Sequence, residues 1–329
     1  MFPDHSHPRV PRRDVRRPLL TALLAAAVLM AGTVAWLVLD TGGPSAAAPR
    51  TPGAPPVAAA ADGLDLPWPA EGQASISVEG VGSLGTRGSR TPVPIASVTK
   101  VMTAHVLLRE HPMRPGEDGA EIVADQRAAD ESYSGTESTV PVEAGRTYRQ
   151  RELLEYLMVG SANNVARLLA RWDAGDERAF VAKMNAAARE LGLADTTYTG
   201  PSGLEATTTS TAADQLRLAR AAMADPVFRE VVAVREVTAP GVRVANTNKL
   251  LGRHGVIGLK TGSSTPAGGN LVWAVRQEVA GVPRLVLGVV LGQRAGSTPI
   301  AGSAAATEVS EDLVRAVREA LPDLVAGRG

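Results

Sequence analysis

The chain contains no cysteine, so a disulfide framework, a thiolate nucleophile and a cysteine-ligated metal are all closed to it. At 329 residues it can bury an adequate core without such cross-links. Neither sign of charge is in excess. The 34 basic and 34 acidic side chains cancel, which removes the electrostatic footprint of a nucleic-acid binder. No H-E-x-x-H is present, so zinc-peptidase chemistry lacks its helical signature. No internal repeat is visible. Lysine is scarce: Lys100, Lys183, Lys249 and Lys260 stand against thirty arginines. Arginine keeps its proton in proteins, whereas a lysine amine can lose it when desolvated or set beside another cation. A retained lysine is therefore a candidate for work that arginine cannot do.

What is present divides the chain into four segments. Residues 1–17 are polar and basic, and residues 18–39 hold an uncharged apolar run from Leu19 to Leu39. As a helix, such a run spans roughly 30 Å, a bilayer core. The arginines lie on its N-terminal side, which places 1–17 in the cytoplasm and the rest outside. The run is expected to be an uncleaved single-pass anchor. A cleaved signal sequence, with small residues at Ser45–Ala48, is the alternative and leads to a secreted protein. Residues 40–62 are rich in Pro, Ala and Gly and read as a linker. Residues 63–329 form the globular domain.

Within that domain ASISVEG (74–80) alternates like a strand, and turn residues follow at Gly82 to Gly88. Helical patterns begin near Ala96 and cover Arg149 to Trp172, Glu177 to Leu191 and Thr211 to Ala224. VIGLKTG, GNLVWAVRQ and PRLVLGVVLG read as three strands, the last two joined by a Gly-Val-Pro turn. A final helix covers about Ala304 to Leu321. Strands at both ends with helices between them predict an α/β (α+β) domain with one sheet built from the two termini.

Three short motifs carry chemistry. Ser97-Val-Thr-Lys100 puts a hydroxyl and an amine one helical turn apart. A serine hydroxyl attacks only when a base takes its proton, and a lysine is that base only if burial or another cation lowers its pKa. Any Ser with Lys three positions on satisfies the pattern, so alone it is weak. Ser161-Ala-Asn163 offers a hydroxyl that can relay a proton and an amide that can donate and accept; a helix N-cap suits the same residues. Lys260-Thr-Gly262 ends a strand. Its cation can bind a substrate carboxylate and depress Lys100, and its glycine lets an extended substrate lie against the strand edge. Alone it is a strand entering a turn. Together and in this order, S-x-x-K, S-x-N and K-T-G form the motif set of penicillin-binding proteins and class A β-lactamases.

The chain resembles the D-alanyl-D-alanine carboxypeptidase family of low-molecular-weight penicillin-binding proteins. The stretches that carry the resemblance are IASVTKVMTAHVLL, VEAGRTYRQRELLEYLMVGSANNVARLLA, FVAKMNAAARELGLADTTYTGPSGL, STAADQLRLAR, NTNKLL and GLKTGSSTPAGGNLVWAV, within 74–292. The resemblance implies a β-lactamase/transpeptidase-like fold, an antiparallel sheet with flanking helices and a helical subdomain. It implies Ser97 as the acylated nucleophile and Lys100 as its general base. Ser161 and Asn163 would assist proton transfer and hold the substrate amide, and Lys260 would act electrostatically. Thr261 would lie near the substrate carboxylate, with Gly262 beside it. The N–H groups of Ser97 and Ser263 would form the oxyanion hole. It implies peptidoglycan stem peptides ending in D-Ala-D-Ala as substrate, β-lactams as inhibitors, and no metal or organic cofactor.

Two departures stand out. Asn164 occupies a position where the family usually has aspartate. After Arg294 no basic residue follows until Arg315, where the family often carries a carboxylate-binding arginine. A class A β-lactamase would need a glutamate in an E-x-x-L-N setting; none is present, and Glu205 lacks that context. A wall-binding domain that lost turnover is the non-enzymatic alternative, distinguished by penicillin binding without D-Ala release. Asp214 reads as a helix or surface residue, and the histidines suggest no triad.

Overall fold

The computed structural model describes residues 64–326. The basic segment, the apolar run and the linker lie outside them, so the expected anchor does too. Among the described residues no helix is long and apolar enough to cross a membrane.

Five strands form one antiparallel sheet: β1 (Gln73–Val78), β2 (Gly82–Gly88), β3 (Val256–Ser264), β4 (Gly268–Val279) and β5 (Val282–Gln293), in the order β2-β1-β5-β4-β3. β1 pairs with β5 from Gln73–Leu291 to Val78–Val286, so the two ends of the domain meet inside the sheet, as predicted. β1 is buried along its whole length. Its alternating serines therefore mark no wet face; Ser75 Oγ lies 2.8 Å from Thr86 Oγ1. Gly82 to Gly88 is an edge strand rather than a turn. Gly82 and Gly85, at φ 112° and 136°, flank the irregularity opposite Ile76 and Ser77, where a bulge bends the edge. The β4–β5 hairpin turns on Ala280 and Gly281, at φ 52° and 77°. That two-residue turn matches the twist of the flanking strands, so Val282 and Pro283 belong to β5.

The helices are α1 (Lys100–Glu110), which continues a 3-10 turn at Ala96–Thr99, α2 (Gln126–Glu131), α3 (Gln150–Val159), α4 (Asn163–Ala174), α5 (Glu177–Glu190), α6 (Ala212–Ala224), α7 (Pro226–Val232) and α8 (Pro299–Ala326). The pattern over 149–172 is two helices. They are separated at Gly160–Ala162, where Ser161 takes φ 56° and Ala162 is extended. α8 starts earlier than expected, at Pro299, a residue suited to a first helical turn. Asp214 lies in α6, the helix alternative expected for it, and is buried. Its Oδ2 accepts from Asp195 N and Thr196 Oγ1, tying the start of α6 to the preceding loop.

The sheet separates two apolar cores, as the period-two alternation of its strands requires. Val272, Ala274, Leu287 and Val289 pack against the helices of the central chain. Leu271, Trp273, Val275 and Val286 pack against Leu313, Val314 and Val317 of α8. β3 has a single strand neighbour, and its other edge meets the Ala96–Thr99 turn. That junction is where the three motifs converge.

Candidate active site

Ser97 follows Ala96, which is held at φ 47°. A non-glycine residue in that region costs of order 1–3 kcal/mol and persists only where the surroundings enforce it. The enforcement comes from the loop Pro201–Gly203. Thr103 Oγ1 donates to Pro201 O at 2.6 Å. A Cβ on Gly203, at φ +77°, would stand 2.0 Å from Ala96 O, so only glycine lets this loop close on the Ser97 turn.

Lys100 has no solvent exposure. Its Nζ lies 2.8 Å from Ser97 Oγ, 2.6 Å from Asn163 Oδ1 and 2.7 Å from Ser202 O. Two of these partners are fixed acceptors that offer no proton. A neutral amine has two hydrogens and one lone pair. In that neutral form, with both hydrogens given to Asn163 and Ser202, the lone pair would be left for the Ser97 hydroxyl. Burial pushes the Lys100 ammonium well below its ordinary value; the charges of Lys260 and Arg167 push the same way, against Glu137 and Glu205. The neutral base is thereby made accessible.

Lys260 is also buried and donates to Thr261 O at 3.0 Å. Burial pushes it down to about 7. Thr261 Oγ1 pairs with Thr247 Oγ1 at 2.6 Å. Gly262 is required by packing within the fold. A Cβ there would meet Ile95 O at 2.8 Å, Val98 N at 2.9 Å and Ser97 N at 3.0 Å. Its bareness therefore seats β3 against the nucleophile turn. Ser263 lines a groove of 740 Å³ together with Lys249, Ile300, Ser303, Thr307 and Glu308.

The second motif contributes unequally. Asn163 is bonded to Lys100, but the buried Ser161 hydroxyl makes no hydrogen bond to Ser97 or Lys100 in this structure. Asn163 N donates to Ser138 O at 2.8 Å. Asn164 is fully buried. Its Oδ1 accepts from Val140 N, and its Nδ2 faces Val140 O, Ala128 O and Ser132 Oγ at 2.8, 3.2 and 3.2 Å. An aspartate could accept from Val140 N but would set its second oxygen against two carbonyls. Asn164→Asp is expected to lower the unfolding free energy by roughly 1–3 kcal/mol, read from urea titration; an unchanged midpoint would refute the clamp.

Four contributors went unseen in the sequence: Ser202, whose carbonyl orients Lys100; Glu137 and Arg167, behind Asn163; and Thr247, behind Thr261. Pro-Ser-Gly signals only a turn, and Glu137 sits in a Ser/Thr-rich loop with no periodic signature. Among the described histidines, His111 pairs with Asp173 at 2.8 Å and His254 with Glu311 at 2.9 Å, and none bonds Ser97.

The profile of the peptidase family described as D-alanyl-D-alanine carboxypeptidase matches residues 83–294, more than half of the chain. The chain belongs to the D-alanyl-D-alanine carboxypeptidase family. The D-alanyl-D-alanine carboxypeptidase DacB2 of Mycobacterium tuberculosis is 36% identical over 217 residues, covering 64% of this chain and 70% of that protein. DacD of Escherichia coli K12, also named a D-alanyl-D-alanine carboxypeptidase, is 34% identical over 204 residues, 60% of this chain and 51% of its own length; the chain thus spans about half of that relative. The crystal structure of the Streptomyces K15 DD-transpeptidase superposes with a TM-score of 0.64 at 29% identity, covering 76% of this chain and 98% of that one. The fold expected from the motifs is the fold of this family.

Proposed function

We propose that this family member is a serine-type D-alanyl-D-alanine carboxypeptidase that releases the terminal D-Ala of peptidoglycan stem peptides through an acyl-enzyme on Ser97. The supporting observation is the fully buried Lys100 amine, whose Nζ stands 2.8 Å from Ser97 Oγ and is also bonded to Asn163 Oδ1 and Ser202 O. In this reading Lys100 takes the Ser97 proton as Oγ attacks the penultimate D-Ala carbonyl. The N–H groups of Ser97 and Ser263 receive the oxyanion. Asn163 holds the substrate amide, and Lys260 with Thr261 receives the terminal carboxylate. The proton then passes to the departing D-Ala nitrogen, with Ser161 as relay once substrate fills the site. Water hydrolyses the ester in a second step, again activated by Lys100.

Residues 18–39 anchor the enzyme in the bacterial cell membrane in this reading, with 40–62 as tether and the domain 63–329 extracytoplasmic. Signal cleavage would instead leave it secreted.

Incubation with benzylpenicillin followed by intact-mass analysis and peptide mapping tests the reading. One adduct on Ser97, absent from Ser97→Ala, together with D-Ala release from a D-Ala-D-Ala peptide, is the expected result. Rapid penicillin hydrolysis without a persistent adduct would point to a β-lactamase-like hydrolase. An adduct without D-Ala release, or none with the penicillin intact, would point to a wall-binding domain.

A further inference from the structure

Asn163 has an amide whose two ends have opposite hydrogen-bonding characters, and the mechanism proposed above needs it one way round. Its oxygen must face Lys100, at 2.6 Å. If the amide were turned over, Nδ2 would donate into the Lys100 lone pair and draw it away from Ser97. Lys100 cannot prevent this, because an amine can donate to the oxygen or accept from the nitrogen.

Behind Asn163 stands Glu137. Asn163 Nδ2 donates to Glu137 Oε2 at 2.7 Å. An ionised carboxylate accepts only, so it bonds Nδ2 and never Oδ1. Burial works to raise the Glu137 carboxyl, but hydrogen bonds from Arg167 and Asn163 outweigh it and hold it below its ordinary value. Arg167 Nη2 and Nη1 reach its two oxygens at 2.7 and 3.2 Å, a fork that fixes the carboxylate plane.

We infer that Glu137 is a positioning residue of the reaction: it locks the Asn163 amide so that Lys100 keeps its lone pair on the Ser97 hydroxyl. This rests on the reading of Ser97 and Lys100 as nucleophile and base. The chain of control runs from Arg167 to Glu137, to Asn163, to Lys100, to Ser97. It joins α4, the loop before α3 and the nucleophile turn.

The loop does not depend on the carboxylate for its place. Ser138 O receives Asn163 N, and Asn164 grips both polar groups of Val140. Arg167 retains Glu131, at 2.8 Å. Glu137→Gln therefore changes the lock without removing the loop. In that variant both facing groups are amides, and Asn163 is free to turn.

The test is the second-order rate constant for acylation of Ser97 by benzylpenicillin, followed by mass in the full chain. Glu137→Gln is expected to lower it roughly 10- to 100-fold, the range for losing the partner that orients a functional side chain. Asn163→Asp alone also lowers it, because two carboxylates then face each other. Adding Glu137→Gln to Asn163→Asp is expected to raise the rate, since a carboxamide can donate to the new acceptor. The same substitution thus reverses sign between backgrounds, which a loss of packing cannot do.

The pH profile gives a second readout. The charged groups acting on Lys100 are Lys260 on β3, Arg167 on α4, Glu137 in its loop and Glu205 after Ser202. Removing the Glu137 charge takes away an anion that favours the ammonium, so the acid limb moves to lower pH. Equal rates with and without Glu137, or a loss of the same size in both backgrounds with an unmoved acid limb, would overturn the inference alone. A chain with no adduct at all would overturn the reading of Ser97, and this one with it.

Discussion

Lys100→Met is expected to slow acylation of Ser97 by about 10³-fold, with the far-UV spectrum of the native chain retained. Among the described residues Lys100 is the base bonded to Ser97: Nζ sits 2.8 Å from Ser97 Oγ, His111 and His254 pair with acids, and His105 Nε2 has no hydrogen-bond partner. Methionine fills a similar volume without a proton acceptor. Lys100→Arg should be as inactive despite keeping the charge, since a guanidinium does not deprotonate in a protein. Time-resolved mass spectrometry of the penicillin adduct measures both variants. Wild-type-like rates in either would assign the base to another group and dissolve the argument from the lone pair.

The second large effect sets stability against activity. Lys260 is buried with one backbone partner and is pushed down to about 7, below an unfolded-state value of about 10.4. Between those values the unfolded chain binds more protons than the folded one, so this group makes stability rise with pH across that window. Below pH 7 the cost of the buried cation is felt in full; above about 10.4 it has vanished. Lys260→Met should therefore be more stable than wild type near pH 6, by roughly 2 kcal/mol, as for other buried charges replaced by apolar residues. The difference should shrink as pH rises toward 10. On the proposed mechanism acylation should fall, because Lys260 is there the cation for the substrate carboxylate and Lys100 loses a neighbour that depresses it. Urea midpoints of both proteins at pH 6 and pH 9.5 decide the point. Parallel changes would mean that Lys260 titrates as an ordinary exposed lysine. In the wild type the proposed role of Lys260 as carboxylate-binding cation predicts a basic limb near pH 7 in the acylation profile.

The motifs were legible because their spacing is local. Ser97 and Lys100 lie one helical turn apart, so their meeting follows from helix geometry. The strands of the C-terminal hairpin were legible from period two, and α6 from its cap at Thr211 and its apolar face. The misreadings share one cause, that local composition does not record what packs alongside. Gly82 to Gly88 looked like turns because glycine is common to turns and to a bulged edge strand. Arg149 to Trp172 reads as helical on both sides of Ser161, while the form of the break there depends on Ser138 and Val140 holding the start of α4. The helical place of Asp214 was among the alternatives the sequence offered, but its burial was not legible, because Asp195 and Thr196 supply the donors that allow it.

Read alone, the sequence determined the family, a sheet built from the two termini, and the three motifs that the fold brings together. Each rests on residues close in the chain or on a pattern with a fixed period. The tertiary structure decided the rest: which groups surround Lys100, why Gly262 must be bare, and which acid stands behind Asn163. Those facts depend on contacts between residues such as Lys100 and Ser202, 102 positions apart, and Asn163 and Glu137, 26 apart. Burial sets their energetics. A lysine in the sequence carries no sign of its burial, and it is that burial which pushes the Lys100 ammonium well below its ordinary value.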